Sequence, residues 1–387
     1  MCGSGRRYGE FAGDGLSNLC VTAADSCGAL GEACCTGTNT CQTGLTCTAG
    51  ACVGCVAALA VGYAHACALR SDGGVACWGA NDHGQIGNGA SGGPVAVATP
   101  VVDDHGVPLA GIRAIAVGDN HSCALRADKT VVCWGDDSTG QLGGGGNTTA
   151  AVNPVPKPAA LTTIAAIAAG ARHTCAALDD ASVWCWGGNE EGQLGTTPSQ
   201  GTSSPTEVVD KSGAPIFAAS LTAGATHTCA VGRDHRLVCW GTDTAGELGD
   251  GATATTSLPV VAASLGTHVV AAAAGNHFTC VLGDDAQVSC FGANDGGQAG
   301  QPASTNVLVP TAVAVDLATA VAAGSSSGCA RRGGGGLLCW GPQVGAPGSI
   351  VDVREGVGAI AVGADICSAR GDGVDCVGFG DPHLACP

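Results

Sequence analysis

The chain has 387 residues, of which 45% are hydrophobic and only 12% are charged, with 15 basic residues against 32 acidic ones. The net charge of −17 argues against nucleic-acid binding, which needs patches of Lys and Arg that neutralise phosphates. No apolar run approaches the 18 or more residues that span a bilayer, so the sequence predicts no membrane span.

The first part of the chain, residues 1–54, is rich in cysteine and poor in residues that could build a core. Six cysteines from Cys20 to Cys47, and equally six from Cys27 to Cys52, have the spacing of a cystine-knot module. Six cysteines allow fifteen pairings, and the spacing does not choose among them. We expect either a knottin-like inhibitor, toxin or adhesion module, or a rigid cap ahead of the next domain.

The two ends of the remaining chain also carry cysteines. We hypothesise that Cys386 forms a disulfide with Cys55 or with Cys52, which would join the start and the end of the second domain covalently. The first seven residues contain no apolar signal-peptide core, so export would need a different start or another route.

The second domain, residues 55–387, repeats a pair of cysteines seven times. Six pairs are ten residues apart and the last is nine apart, with a turn signal such as Asp72-Gly73 between them, which predicts a β-hairpin whose strands are joined by a disulfide. The first cysteines of successive pairs are 49 to 56 residues apart, and 38 for the last, a period that indicates a propeller or solenoid. The predicted pairs are Cys67 with Cys77, Cys123 with Cys133, Cys175 with Cys185, Cys229 with Cys239, Cys280 with Cys290, Cys329 with Cys339 and Cys367 with Cys376.

Each repeat unit has a longer signature around the cysteines. The first copy contains Gly62-x-x-His65, then Cys77-Trp78-Gly79, then Gly84-Gln85-Ile86-Gly87, and copies two to four keep this frame. In the fifth copy Phe291 replaces the Trp and the histidine is displaced to His277, and copies six and seven lack both the histidine and the Gly-Gln-Leu-Gly segment. This signature resembles the repeat of the regulator of chromosome condensation (RCC1) family.

The resemblance implies an all-β fold, a seven-bladed β-propeller that follows the small disulfide-rich module. We expect the blades to begin near residues 55, 112, 164, 216, 268, 318 and 357. Apolar runs at 112–117, 164–169 and 269–274 fit strands that are covered on both faces.

The 24 cysteines bear on the compartment. Regularly spaced thiolates can hold zinc, but zinc sites need closely spaced clusters, whereas these pairs are isolated, one per blade. Disulfides, each worth about 2.5–3 kcal/mol in the chain-entropy model, persist outside the reducing cytosol. We therefore expect a secreted or cell-envelope protein, similar to the disulfide-containing bacterial members of the family.

Two sets of repeated polar residues are candidate sites. Four equivalent histidines, His65, His121, His173 and His227, could form a metal-binding or pH-sensing ring, or could each make the same local hydrogen bond. The loops after Trp-Gly carry carboxylates that repetition should place on one acidic rim, which could dock a basic partner or collect calcium, or could simply cap turns. The rim residues are Asp82, Asp136, Asp137, Glu190, Glu191, Asp243 and Asp295.

No catalytic motif is convincing, so we expect a binding protein and not an enzyme, with no obligatory cofactor. The first hypothesis is a monomeric extracellular or envelope platform that binds a protein partner, for example as an inhibitor or adhesion module. The first alternative, which the resemblance implies, is guanine-nucleotide exchange on a small GTPase inside the cell. The second alternative is a secreted enzyme with its site over the propeller channel.

Overall fold

The computed structural model describes residues 6–8, 20–22, 45–48, 51–54, 56–145, 151–263, 265, 268–303, 305–345, 350–354, 357–370 and 373–377. Before the propeller, strand Arg6–Tyr8 pairs with Cys20–Thr22, and Leu45–Thr48 pairs with Ala51–Gly54. The predicted cystine knot and the predicted pairing of Cys386 involve residues outside those described. No helix in the described part of the chain is long and apolar enough to cross a membrane.

Seven antiparallel sheets follow, and together they form the predicted all-β seven-bladed propeller. Six sheets have four strands, and three strands of the seventh are described. In chain order, the strands of blades 1 to 7 are Val56–Val61, His65–Arg70, Val75–Gly79 and Val95–Pro100; Ile112–Val117, His121–Arg126, Val131–Gly135 and Asn153–Pro158; Ile164–Ala169, His173–Leu178, Val183–Asn189 and Ser199–Glu207; Ser220–Ala223, His227–Val231, Leu237–Gly241 and Thr256–Val261; Val269–Ala274, Phe278–Gly283, Val288–Gly292 and Val307–Ala312; Ala318–Ala323, Gly328–Arg332, Leu337–Trp340 and Ile350–Arg354; Ala359–Val362, Ile366–Arg370 and Gly373–Val377.

Neighbouring strands in a blade are consecutive in the chain and antiparallel, so the connections alternate between the two faces of the disc. One face carries the turns between first and second strands and the loops between third and fourth strands; we call it the mouth face. The other carries the turns between second and third strands and the connections to the next blade; we call it the hairpin face.

The second and third strands of each blade form most of the core. In blade 2, His121–Arg126 is buried except for its last residue, and Val131–Gly135 is buried throughout. The outermost strand, Asn153–Pro158, ends in exposed residues. Because each sheet is covered by a neighbour on both faces, its inner strands carry apolar or hydrogen-bonded side chains on both sides.

The blades pack against each other through a disulfide on one side and an aromatic ring on the other. Cys67 and Cys77 of blade 1 share a core cluster with Trp134 of blade 2. The same arrangement recurs at the next four interfaces, with Trp186, Trp240, Phe291 and Trp340 as the rings. Phe291 therefore performs the packing role of the missing tryptophan.

A ring of seven glycines closes the propeller around its channel. A Cβ added at Gly118 would lie 2.3 Å from the carbonyl oxygen of Gly170, the equivalent glycine of blade 3. The same approach, at 2.1–2.4 Å, occurs between all neighbouring blades, including from Gly363 back to the oxygen of Gly62. Any side chain at these positions would push two blades apart, which explains why the repeat has glycine there. The ring consists of Gly62, Gly118, Gly170, Gly224, Gly275, Gly324 and Gly363.

Candidate functional site

The mouth face surrounds a central cavity of about 180 Å³, lined by equivalent turns of all seven blades. Most of the lining is glycine, alanine and valine, and the larger polar side chains are Tyr63, Asp119 and Asn276. Burial raises the pKa of Asp119 above its usual value, although the Arg172 guanidinium opposes this effect. The cavity wall thus consists mainly of backbone, with one carboxyl group of raised pKa.

The four repeated histidines lie outside this cavity, fully buried between blades. His121 Nε2 is 2.9 Å from Thr174 Oγ1 of the next blade, and that hydroxyl donates to the carbonyl oxygen of Gln141 at 2.9 Å. Because the hydroxyl proton is used on the carbonyl, Nε2 must carry the hydrogen and donate to the threonine. The same carbonyl accepts a hydrogen bond from Trp186 Nε1 at 2.9 Å.

The histidine–hydroxyl–carbonyl part of this chain is repeated at four successive blade interfaces, and the tryptophan donor at the first three of them. Burial lowers the pKa of His121 to about 4 and of His173 to about 3, so both rings are neutral. With Nε2 occupied and the ring inaccessible, these histidines serve the local hydrogen bond and do not form a metal-binding ring. The pairs and their distances are His65–Ser122 2.8 Å, His121–Thr174 2.9 Å, His173–Thr228 2.8 Å and His227–Thr279 2.9 Å.

Histidine and hydroxyl disappear together at the fifth interface. Phe278 lies opposite Gly292 as His121 lies opposite Gly135, and the residue that would meet it in blade 6 is Gly328. Phe278 therefore fills the position of the repeated histidine, and His277, to which the sequence displaces the histidine, lies one residue before it. His277 is half exposed and its Nδ1 lies 3.1 Å from Glu247 Oε1.

The predicted rim residues divide into a buried group and an exposed group. Asp137 and Asp243 are buried because each carboxylate accepts a backbone N–H five residues later, from Leu142 and Leu248, both at 3.0 Å. Asp136 is buried as well and accepts hydrogen bonds from Ser138 and Gln141. These three therefore do not belong to an exposed rim. The exposed members are Asp82, Glu190, Glu191 and Asp295.

The mouth face is nearly free of basic side chains. Thirteen of the 15 Lys and Arg residues lie in the propeller, and only Arg172 belongs to a mouth-face turn. Its guanidinium is 3.8 Å from Glu190. Lys157 lies on an outer strand, and the other eleven lie in or beside the turns and connections of the hairpin face. The mouth face is consequently acidic, whereas the hairpin face carries both signs.

The seven cysteine pairs are joined in the structure as the spacing predicts. Each disulfide links residues directly opposite each other on the second and third strands, with Cα atoms 4.1 Å apart. This distance is close to the ~4.5 Å of a non-hydrogen-bonded antiparallel pair. Thirteen of the fourteen cysteines are buried, and Cys376 is partly buried. The bonds join Cys67 to Cys77, Cys123 to Cys133, Cys175 to Cys185, Cys229 to Cys239, Cys280 to Cys290, Cys329 to Cys339 and Cys367 to Cys376.

Sequence reasoning missed a buried charge pair in blade 4. Glu247 stands where other blades have Gln, and its side chain is fully buried. Burial alone would raise the pKa of Glu247, but hydrogen bonds from His277 and from the backbone N–H of Ala245 hold it below its usual value. The same hydrogen bond raises the pKa of His277. The departure from the repeat, Glu for Gln, was the available signal.

A second group of metal-ligating side chains lies on the hairpin face. Asp103, Asp104 and His105 are close enough to share an ion. Asp103 already accepts the N–H groups of His105 and Val107, and the His105 ring contacts Asp104. The polar groups of this cluster thus bond to one another and to the backbone of their own turn.

Comparisons with known proteins agree with this architecture. RUG3, a mitochondrial RCC1 domain-containing protein of Arabidopsis thaliana, is 31% identical over 72% of this chain and 65% of its own length. Human WBSCR16 superimposes with a TM-score of 0.71 at 21% identity, covering 81% of this chain and 87% of that one. Prp20p of Saccharomyces cerevisiae superimposes with a TM-score of 0.64 at 20% identity, covering 79% and 80%. Residues 18–349 match the RCC1-like domain, and the chain belongs to that family.

Proposed function

We propose that the protein is an extracytoplasmic binding platform whose mouth face docks a basic protein partner. The observation that carries the proposal is the charge of that face, where Asp82, Glu190, Glu191 and Asp295 are exposed and Arg172 is the single Lys or Arg residue. An acidic surface attracts basic partners and repels acidic ones and nucleic acids. The channel is too small for a folded partner, so binding would use the turns and loops around it.

The disulfides support the extracytoplasmic location. Seven cross-strand disulfides in one domain suit an oxidising compartment, and thiols of cytosolic proteins are normally kept reduced. A protein outside the cytosol has no access to intracellular GTPases, which disfavours the exchange-factor alternative.

A structural relative that binds other proteins supports the proposal that the partner is a protein. Prp20p, which shares the fold, was characterised for its binding to Gsp1p and histones. Those partners belong to that protein. For this chain the proposal is restricted to a partner with a basic surface.

The proposal can be tested with a labelled lysine-rich peptide as the probe. Fluorescence polarisation would compare the wild type with D82N/E190Q/E191Q on the mouth face and with D104N/D284N/D316N on the hairpin face, each variant removing three exposed carboxylates. We expect the mouth-face variant to weaken binding about tenfold at low salt and the control by less than about twofold. Equal losses in both variants would mean that the peptide senses only net charge, and the proposal would be wrong.

A second experiment tests the compartment. Native protein purified from its producing cells would be alkylated without reduction and digested, and the fourteen blade cysteines would be assigned by mass spectrometry. We expect every blade pair to be recovered as a disulfide-linked peptide. Recovery of these cysteines as free thiols would overturn the extracytoplasmic assignment and favour the exchange-factor alternative.

A further inference from the structure

One loop of the mouth face replaces amides by carboxylates at three positions. The loop between the third and fourth strands of blade 1 carries Asn81, Gln85 and Asn88. The corresponding loop of blade 4 carries Asp243, Glu247 and Asp250 at the same spacing. The two loops therefore differ by three replacements of an amide by a carboxylate of the same shape. Each replacement adds a negative charge to the loop of blade 4.

In blade 1 the amides hydrogen-bond to each other and to the loop backbone. Asn81 Oδ1 accepts the N–H of Ile86 at 3.1 Å, while Asn81 Nδ2 donates to Ala90 O at 3.2 Å and to Asn88 Oδ1 at 3.4 Å. Asn88 Oδ1 also accepts the N–H of Ala90 at 3.2 Å. The amide nitrogen of Asn81 thus lies among acceptor oxygens.

In blade 4 the two hydrogen bonds from backbone N–H groups are kept, but the side-chain N–H donor that Asn81 provides in blade 1 is lost. Leu248 N–H donates to Asp243 Oδ1 at 3.0 Å, and Ala252 N–H donates to Asp250 Oδ1 at 2.8 Å. The second oxygen, Asp243 Oδ2, takes the place of the Asn81 nitrogen. It is buried, on a residue with 0% exposure, and it has no hydrogen-bond partner among the described residues.

The charges of this loop do not balance. Glu247 is compensated by His277, whose Nδ1 is 3.1 Å away. No Lys, Arg or His in the described part of the chain forms an ion pair with Asp243 or Asp250. Burial raises the pKa of Asp243 to about 6, with the N–H groups of Leu248 and Ala254 opposing this and the charges of Asp250 and Glu247 adding to it. The loop therefore holds a carboxylate that lacks a positive partner.

We propose that Asp243 and Asp250 bind a divalent cation, Ca²⁺, in the mouth-face loop of blade 4. A cation would lie where the N–H group of Asn81 points toward Asn88 in blade 1, that is, between Asp243 Oδ2 and the side chain of Asp250. The available ligands are oxygens, which Ca²⁺ prefers, and partly exposed Asp250 leaves room for the waters that complete its coordination. The Thr255 hydroxyl, which accepts the N–H of Asp243 at 3.3 Å, lies next to the same group.

The proposed site is small, which bounds its affinity and selectivity. Two carboxylates with neutral oxygens and water resemble the weaker calcium sites of extracellular modules, with Kd about 10⁻⁴–10⁻³ M. Mg²⁺ gives up its water reluctantly and demands stricter geometry, so it should bind more weakly than Ca²⁺. The site is independent of the proposed basic partner, because it requires only this loop.

The experiment uses the full oxidised chain and CaCl₂ at about pH 7.5, well above the usual pKa of a carboxyl group. Calorimetric titration would compare the wild type with D243N/D250N, which rebuilds the amide chemistry that the chain already accommodates in blade 1. E190Q/E191Q serves as the matched control, since it also removes two carboxylates from the mouth face.

We expect one Ca²⁺ per chain in the wild type and in E190Q/E191Q, and at least tenfold weaker binding in D243N/D250N. The unfolding temperature should rise with Ca²⁺ in the first two proteins and not in the third. D250N alone, at a partly exposed position, gives the same test if the double variant folds poorly. Absence of a saturable site in the wild type, or unchanged binding in D243N/D250N or D250N, would overturn the proposal.

Discussion

His121 and Thr174 belong to neighbouring blades and form a buried hydrogen bond, with Nε2 2.9 Å from Oγ1. The threonine hydroxyl in turn donates a hydrogen bond to the carbonyl oxygen of Gln141. The Thr174 side chain thus links the His121 ring to a loop carbonyl of the same blade as His121. Four consecutive interfaces use this bond, and the fifth replaces it with Phe278 and Gly328.

Removing the hydroxyl should destabilise the propeller. Thr174→Val keeps the shape but leaves the His121 N–H without its acceptor, so we expect a loss of about 1–3 kcal/mol in the free energy of unfolding, measured with denaturant. The double variant H121F/T174G copies the fifth interface and should cost less than the sum of its single changes. A loss below about 0.5 kcal/mol for Thr174→Val would contradict the assigned role.

Stability should fall as the pH drops below about 6.5. Burial lowers the pKa of His65 and His173 to about 3 and that of His121 and His227 to about 4, so the unfolded chain takes up these protons first. Each histidine should remove about 1.4 kcal/mol per pH unit between the usual pKa of histidine and its own lowered value.

Groups with a raised pKa act in the opposite direction. Burial raises the pKa of Asp119, Asp243 and Asp365 in the folded protein, so these carboxyl groups stabilise it as the pH falls, whereas the raised pKa of His277 acts above the usual histidine pKa of about 6.5. The pKa values of all four buried histidines fall to about 3 or 4, a larger change than the one that takes the pKa of Asp243 to about 6, so the net effect should be destabilising. Thermal unfolding from about pH 8 to 4 measures the sum. H121F/T174G should show a shallower slope than the wild type, and an equal slope would assign the pH dependence to other groups.

Each hairpin disulfide should contribute separately to stability. C175A/C185A removes the bond between Cys175 and Cys185 and opens a loop of about eleven residues, so we expect a loss of about 2.5–3 kcal/mol from chain entropy, with an additional cost for the cavity. Denaturant unfolding of the oxidised proteins gives the difference. A variant as stable as the wild type would show that this bond does not constrain the unfolded chain.

The glycine ring should not tolerate even a methyl group. In Gly118→Ala the new Cβ would lie 2.3 Å from Gly170 O and 2.4 Å from the His121 ring, and both obstacles belong to packed elements. We expect a loss of about 3 kcal/mol or more, or failure to fold. Gly334→Ala is the control, because nothing lies within 4 Å of a Cβ at that turn position and its effect should stay within about 0.5 kcal/mol. Similar unfolding temperatures for the two variants would contradict the proposed closure.

The sequence predicted the blades well because their signals are local and repeated. The cysteine spacing fixes the hairpin register, so Cys123 lies opposite Cys133, and the apolar runs at 112–117, 164–169 and 269–274 coincide with first strands. In the fifth copy, the position relative to Cys280 identifies Phe278 as the structural equivalent of the repeated histidine, with the displaced His277 one residue before it.

The site was predicted less well because burial depends on contacts that single copies do not reveal. Asp137, Asp243 and Asp136 look like surface carboxylates in sequence, yet they cap backbone N–H groups. In blades 2 to 5 the residue before the first cysteine is a repeated hydroxyl, as in Ser122 and Thr174, and this was visible in the sequence. Its role appears only when the histidine of the preceding blade is placed beside it.

The seven cross-strand disulfides also change what cleavage of the chain can do. A protease that cut an exposed hairpin turn, for example at Asp128 between Cys123 and Cys133, would break one peptide bond and leave both strands covalently attached. The nicked blade would keep its ladder of hydrogen bonds and its place in the ring. A protease could therefore cut the chain on the hairpin face while the opposite face stays assembled.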